Sequence, residues 1–287
     1  MSRWRRSALV LIAAMMVLLA AVPAVGAAPG GRPHDYLALG DSVAFGTNPL
    51  LDPGNAANFV GYPEVLAAML GLNLANASCP GEASGGFISL TGTDNVCRPY
   101  RANFPLHVGY STSQLDFAVA YLQSHPRTRL VTINIGANDL FVLQKRCATA
   151  ADPIACVLNG LPGLQETLRA NLATIYERIL GEAKYRHDLV ALTYYVTNYN
   201  DPTAVEVIGA INEVVTEVTL AYGGTVADGF GAFAAASAAA GGDACAAGLL
   251  IPLPGGGCDI HPSFEGQRVL AEAIALALGR PLVKKAA

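Results

Sequence analysis

Ser42, Gly81, Asn138 and His261 are the residues of this chain whose types fit one another for nucleophilic acyl transfer. That chemistry needs a hydroxyl, a base to take its proton, and hydrogen-bond donors aimed at the oxyanion that develops on the attacked carbonyl. Ser42, in "GDSVAFG", supplies the hydroxyl. The Gly81 backbone N–H, in "NASCPGEASGG", and the Asn138 amide, in "GANDL", supply donors, and His261, in "GCDIHPSFEG", supplies the base. Taken singly, each has a plainer reading. Ser42 after a strand reads first as a helix N-cap, Gly81 as a turn, Asn138 with Asp139 as a loop end, and His261 as a surface histidine at a helix entry. Only the set turns the balance towards chemistry. The rival signature G-x-S-x-G is absent, because "GEASGG" puts one residue too many between Gly81 and Ser84.

The elements that must position these residues alternate along the chain. "DYLALG", "LNLANAS", "RLVTINIG", "DLVALTYYV" and "TVADGF" read as strands; "PEVLAAMLG", "STSQLDFAVAYLQS", "LQETLRANLATIYERILGEA", "AVEVIGAINEVVTEVTLAYG" and "FEGQRVLAEAIALALG" read as helices. This order predicts an α/β fold, a three-layer α/β/α sandwich around a parallel sheet. Ligands bind such sheets beyond the carboxyl ends of the strands, and the first three candidate residues sit in loops that follow strands. Residues 85–110 and 229–259 interrupt the alternation and read as pinned surface loops. His34, His107, His125 and His187 precede strands or lie in connecting segments, at the opposite edge or on the surface, which leaves His261 as the base.

At 287 residues and 52% hydrophobic composition, the chain can bury one large core. Arg3, Arg5 and Arg6, the apolar run Ala8–Val22 and small residues up to Ala27 follow the order of a secretory signal peptide. The run is shorter than the roughly 20 residues of a membrane span. The expectation is a leader over 1–27, cleaved near Ala27, a single domain over 28–287, secretion, and no transmembrane segment in the mature chain. Loss of the three arginines takes the formal net charge from −4 to −7 and leaves no basic run, so no nucleic-acid partner is expected. The even set of cysteines falls into three local couples, Cys79 with Cys97, Cys147 with Cys156, and Cys245 with Cys258, expected as disulfides in an exported chain. No cluster has zinc-ligand spacing, so no metal is expected, and acyl transfer through Ser42 and His261 needs no cofactor.

In order, "GDS" at 40–42, Gly81 in "CPGEAS", "GANDL" and His261 in "DIHP" resemble the four blocks of the SGNH hydrolases, also called GDSL esterases and lipases. The three local cysteine pairs resemble secreted actinobacterial-type members. The resemblance implies a flavodoxin-like sandwich, metal-free hydrolysis of carboxylic esters, and an oxyanion hole from Ser42 N–H, Gly81 N–H and Asn138 Nδ2. Asp41 and Asp139 read as structural groups that brace these loops.

One departure from the family stands out. Its triad acid precedes the histidine by three residues, where this chain has Cys258; the aspartate, Asp259, is only two residues before His261. In an extended segment a one-residue shift turns the side chain to the other face, which predicts that Asp259 fails to reach the imidazole. The partner of His261 is then either Asp259 or a backbone carbonyl near Cys258, the latter giving a Ser/His dyad. The expected substrate is a small-molecule or lipid ester and the expected state a monomer. Deacetylation of a carbohydrate, acyl transfer to an alcohol, and a catalytically silent binding module are the alternatives. The apolar segment 248–257 is read equally as a wall of an acyl groove or as a disulfide-closed loop with buried side chains.

Overall fold

The structure is a computed structural model and describes residues 33–280. The expected leader and its cleavage point near Ala27 lie outside those residues. The strand β1 (Asp35–Gly40) is buried at every position after Asp35, as a strand covered by helices on both faces must be. With β2 (Asn73–Asn76), β3 (Thr128–Asn134), β4 (Asp188–Leu192) and β5 (Thr225–Ala227) it forms an all-parallel sheet of order β2-β1-β3-β4-β5. That flavodoxin-like order reverses direction between β1 and β3, which opens a crevice at their carboxyl ends. The register pairs Leu37 with Val131 and Gly40 with Asn134, so the chain leaves both strands at the same level.

The helices are α1 (Ser42–Phe45), α2 (Tyr62–Leu70), α3 (Ser84–Ile88), α4 (Cys97–Asn103), α5 (Gln114–Ser124), α6 (Ala137–Cys147), α7 (Pro153–Glu177), α8 (Pro202–Ala221), α9 (Gly229–Ser237) and α10 (Phe264–Ala277). On one side of the sheet α10 packs between α2 and α9; on the other, α7 packs against α8. Asp152 and Asp201 cap α7 and α8 by accepting from backbone N–H groups, each followed by a proline at the first helical position, where its missing N–H is harmless. The expected fold is therefore observed, with local differences. The helix α7 starts at Pro153, well before the periodic stretch from Leu164, and carries Pro162 inside it. Residues 229–259 are more than a loop: their alanine-rich start forms α9, and the rest leads into the antiparallel hairpin of β6 (Leu250–Pro252) and β7 (Cys258–Pro262), alanine being the strongest helix former. Residues 85–110 likewise hold most of α3 and all of α4. The three expected disulfides, Cys79–Cys97, Cys147–Cys156 and Cys245–Cys258, are present.

Candidate active site

Ser42 does not cap a helix. The cap of α1 is Asp41, whose Oδ1 accepts from Val43 N at 2.9 Å, and Ser42 is the first helical residue. The turn that carries it is held by two buried glutamines. Gln114 Oε1 accepts from Gly40 N at 2.6 Å while its Nε2 donates to Gly40 O at 3.0 Å. Gln267 Oε1 accepts from Tyr62 N at 2.8 Å and its Nε2 donates to Val43 O at 3.1 Å. Gly40 has φ +141°, and a Cβ there would stand 2.3 Å from Asn134 O. Only glycine lets β1 turn this close to β3.

Asp41 is 1% exposed. Its Oδ2 accepts from Tyr194 OH at 2.6 Å and from Asn138 Nδ2 at 3.2 Å. Burial pushes its carboxyl up to about 6, against the hydrogen bonds that favour the ionised form. Asn138 is buried in the first turn of α6. Its Oδ1 accepts from Asn95 Nδ2 at 2.8 Å, which leaves one proton of Nδ2 beyond the bond to Asp41. Asp139 anchors the same turn: its carboxylate accepts from Ser84 N at 2.9 Å and from Ser84 Oγ at 2.6 Å. Ser84 Oγ also accepts from Asn171 Nδ2 at 2.7 Å, so this fully buried serine is committed to structure.

Gly81 has φ +79°, and a Cβ there would lie 2.1 Å from Val96 Cγ2. Its carbonyl accepts from Asn95 N at 3.3 Å and Val96 N at 3.2 Å. Among the described residues no acceptor takes its N–H.

The reach of Asp259 differs from expectation. Its Oδ1 lies 2.5 Å from His261 Nδ1 and also accepts from His261 N at 3.0 Å. The side chain folds back on the backbone two residues on, an Asx-type turn, so the two-residue spacing succeeds where strict strand alternation predicts failure. The imidazole holds the Asp259 carboxyl below its usual range. Tyr195 OH donates to Ile260 O at 2.7 Å and steadies β7 between the two.

Ser42, Asn138 and His261 line one cavity of about 470 Å³, together with Asp41, Tyr194 and Tyr195. Gly81 and Asp259 are not part of the lining. The rest of the lining is mostly apolar, with Leu140, Phe141, Val157, Leu158, Val207 and Ile208 from α6, α7 and α8, and it also includes Gln144, Thr197, Asp201 and Thr203. None of residues 248–257 lines the cavity; Leu249, Leu250 and Ile251 are buried, as in the disulfide-closed reading of that segment. Among the described residues Ser42 Oγ has no hydrogen-bond partner, so the serine and the imidazole share the cavity without a hydrogen bond between them. His107 is not at the opposite edge: its Nε2 lies 3.0 Å from Phe45 O and its ring packs on Phe45 beneath α1. Among the described residues one grouping brings three ligand-type side chains together, Cys79, Glu82 and Cys97, and its two sulfurs are joined in a disulfide. It offers no thiolate to a metal.

Tyr194, Tyr195 and Asn95 escaped the sequence reading. The paired tyrosines directly after a buried strand were the available signal, since a tyrosine buried at a strand end needs a partner for its hydroxyl. Asn95 carried none.

The model of the GDSL-like lipase/acylhydrolase family matches residues 38–269. The fold resembles that of the acetylxylan esterase Axe2 from Geobacillus stearothermophilus, with 17% identity over 89% of this chain and 99% of that one and a TM-score of 0.53. It resembles LAE5, an alpha/beta hydrolase enzyme from the metagenome of Lake Arreo in Spain, with 19% identity, coverage of 86% and 95%, and a TM-score of 0.52. A third likeness is the lipase Lip_vut3 from a goat rumen metagenome, with 18% identity, coverage of 85% and 97%, and a TM-score of 0.51. No curated protein matches the chain. With the family match spanning most of its length, the chain belongs to the GDSL-like lipase/acylhydrolase family and is a carboxylic ester hydrolase.

Proposed function

We propose that this chain is a secreted serine esterase acting on esters with an apolar acyl chain. Ser42 attacks the ester carbonyl while His261 Nε2 takes its proton; the oxyanion is held by Ser42 N–H, Gly81 N–H and Asn138 Nδ2. His261 then protonates the leaving alcohol, and water releases the acyl group with the roles reversed. Asp259 keeps the Nδ1 tautomer and offsets the charge of the imidazolium. The observation that carries this reading is the 2.5 Å contact of Asp259 Oδ1 with His261 Nδ1, on an imidazole that shares a cavity with Ser42. The Ser–His hydrogen bond absent at rest is one that tightens when substrate binds. Secretion is supported by the leader-like first residues and by the three disulfides, which persist in oxidising compartments.

The apolar lining from α6, α7 and α8 favours an acyl chain over a sugar, and the one tryptophan of the chain, Trp4, falls within the leader. A fluorophosphonate probe should label the wild-type protein and fail to label Ser42→Ala. A folded wild-type protein that stays unlabelled would identify a silent binding module instead.

A further inference from the structure

Asn138 has to present Nδ2, not Oδ1, to an oxyanion, yet an amide can sit either way round in a pocket of its shape. The orientation is fixed from both ends, by Asp41 in the cavity lining and by Asn95 and Lys145 outside it. Lys145 Nζ, which can only donate, stands 2.5 Å from Asn95 Oδ1. Asn95 Nδ2 donates to Asn138 Oδ1 at 2.8 Å, and Asn138 Nδ2 donates to Asp41 Oδ2 at 3.2 Å. The ionised carboxylate at the far end can only accept. Each amide in this chain accepts on one side and donates on the other, so reversing any one of them sets donor against donor or acceptor against acceptor. Asn138 and Lys145 lie on the same helix, α6, two turns apart and on one face, and Asn95 bridges them.

The same residue touches the other loop of the site. Asn95 N donates to the Gly81 carbonyl at 3.3 Å, the Val96 side chain fills the space a Gly81 Cβ would need, and the Cys79–Cys97 disulfide ties both ends of this arrangement.

We infer that Asn95 is a positioning residue, which acts through Asn138 to aim an oxyanion donor and is itself oriented by Lys145. This rests on the proposed esterase reading. Because the donor bond strengthens as charge develops, loss of aim appears in kcat and not in KM.

The test compares Asn95→Ala, the nearly isosteric Asn95→Asp, Asn138→Ala and the double variant Asn95→Ala/Asn138→Ala. Hydrolysis of a p-nitrophenyl ester, inhibition by an alkyl boronic acid that forms a tetrahedral adduct, and Tm are measured on each. Asn138→Ala should lower kcat by about 10²- to 10³-fold. Asn95→Ala should lower it by about 10-fold or more, with KM within about twofold and boronate affinity falling in parallel. Asn95→Asp keeps the shape and the contact to Lys145 but faces Asn138 Oδ1 with an acceptor; its kcat should fall at least as far as that of Asn95→Ala without loss of Tm. The double variant should be no slower than Asn138→Ala alone. Wild-type kcat in Asn95→Asp, or additive losses in the double variant, would overturn the inference while the oxyanion reading survives. An unchanged kcat in Asn138→Ala would remove that reading and the inference with it.

Discussion

Asp259→Asn tests the assignment on which the site departs from its family. In asparagine the oxygen that accepts from His261 N is the one that faces Nδ1, and this backbone bond keeps the amide NH2 away from the ring, so the tautomer and orientation are kept; what disappears is the negative charge opposite the imidazolium that forms during acyl transfer. Two unit charges about 4 Å apart interact by about 4 kcal/mol at an effective dielectric of about 20, and by about 1 kcal/mol in water. The side chains are 17% and 24% exposed, which puts this pair between those limits. We therefore expect a loss of about 2 kcal/mol from transition-state stabilisation, near 30-fold in kcat. Asp259→Ala, which also removes the acceptor, should be about tenfold slower again, and His261→Ala should lose on the order of 10⁴-fold or more. The assay is steady-state hydrolysis of a p-nitrophenyl ester at pH 8, with circular dichroism to verify folding. Activity of Asp259→Asn within twofold of wild type would refute the reasoning and return the role to a backbone carbonyl near Cys258. A loss as deep as that of His261→Ala would refute it from the other side, because screening permits no such magnitude.

Two further outcomes follow from the cavity and from a buried acid. Replacing Ile208 with tryptophan should narrow the apolar end of the cavity, so that kcat/KM for p-nitrophenyl octanoate falls by about tenfold or more while that for the acetate stays within about threefold; equal losses on both would place the acyl chain elsewhere. Glu82 is raised from its ordinary 4.5 to about 8, by burial first and then by the charge of Asp94, with Gln114, Arg101 and Arg98 opposing. The native state thus keeps a proton that the unfolded chain releases, and the stability this contributes is complete below pH 4.5 and lost as pH rises through 8. The Tm of the wild type should therefore drop between pH 5 and pH 9, and that of Glu82→Gln should drop less; parallel curves would show that Glu82 is ionised throughout.

The local reading failed where it relied on continuity or simplicity. Pro162, with Gly160 and Gly163, broke the apparent periodicity of α7, yet the helix runs through them because its apolar face, Leu161, Leu164, Leu168 and Leu172, is buried. Packing there outweighs the local preference of proline and glycine. The stretch "DLVALTYYV" leaves the sheet at Leu192, where the chain diverts Tyr194 to Asp41 and Tyr195 to Ile260.

Composition and pattern alone were sufficient for the alternating α/β architecture, the pairing of the cysteines and the identity of the four candidate residues, because periodicity, short loops and strand-end loops are local properties of the chain. Tertiary structure decided which side chains meet. It made Asp41, and not Ser42, the helix cap; it drew Asp259 onto His261 through an Asx-type turn; and it built the apolar wall from α6, α7 and α8 instead of from 248–257. It also joined Lys145, Asn95, Asn138 and Asp41 from three separate segments into one hydrogen-bonded row. Such a row has no sequence signature, since its direction depends on which donor faces which acceptor across loops that only the folded sheet brings together.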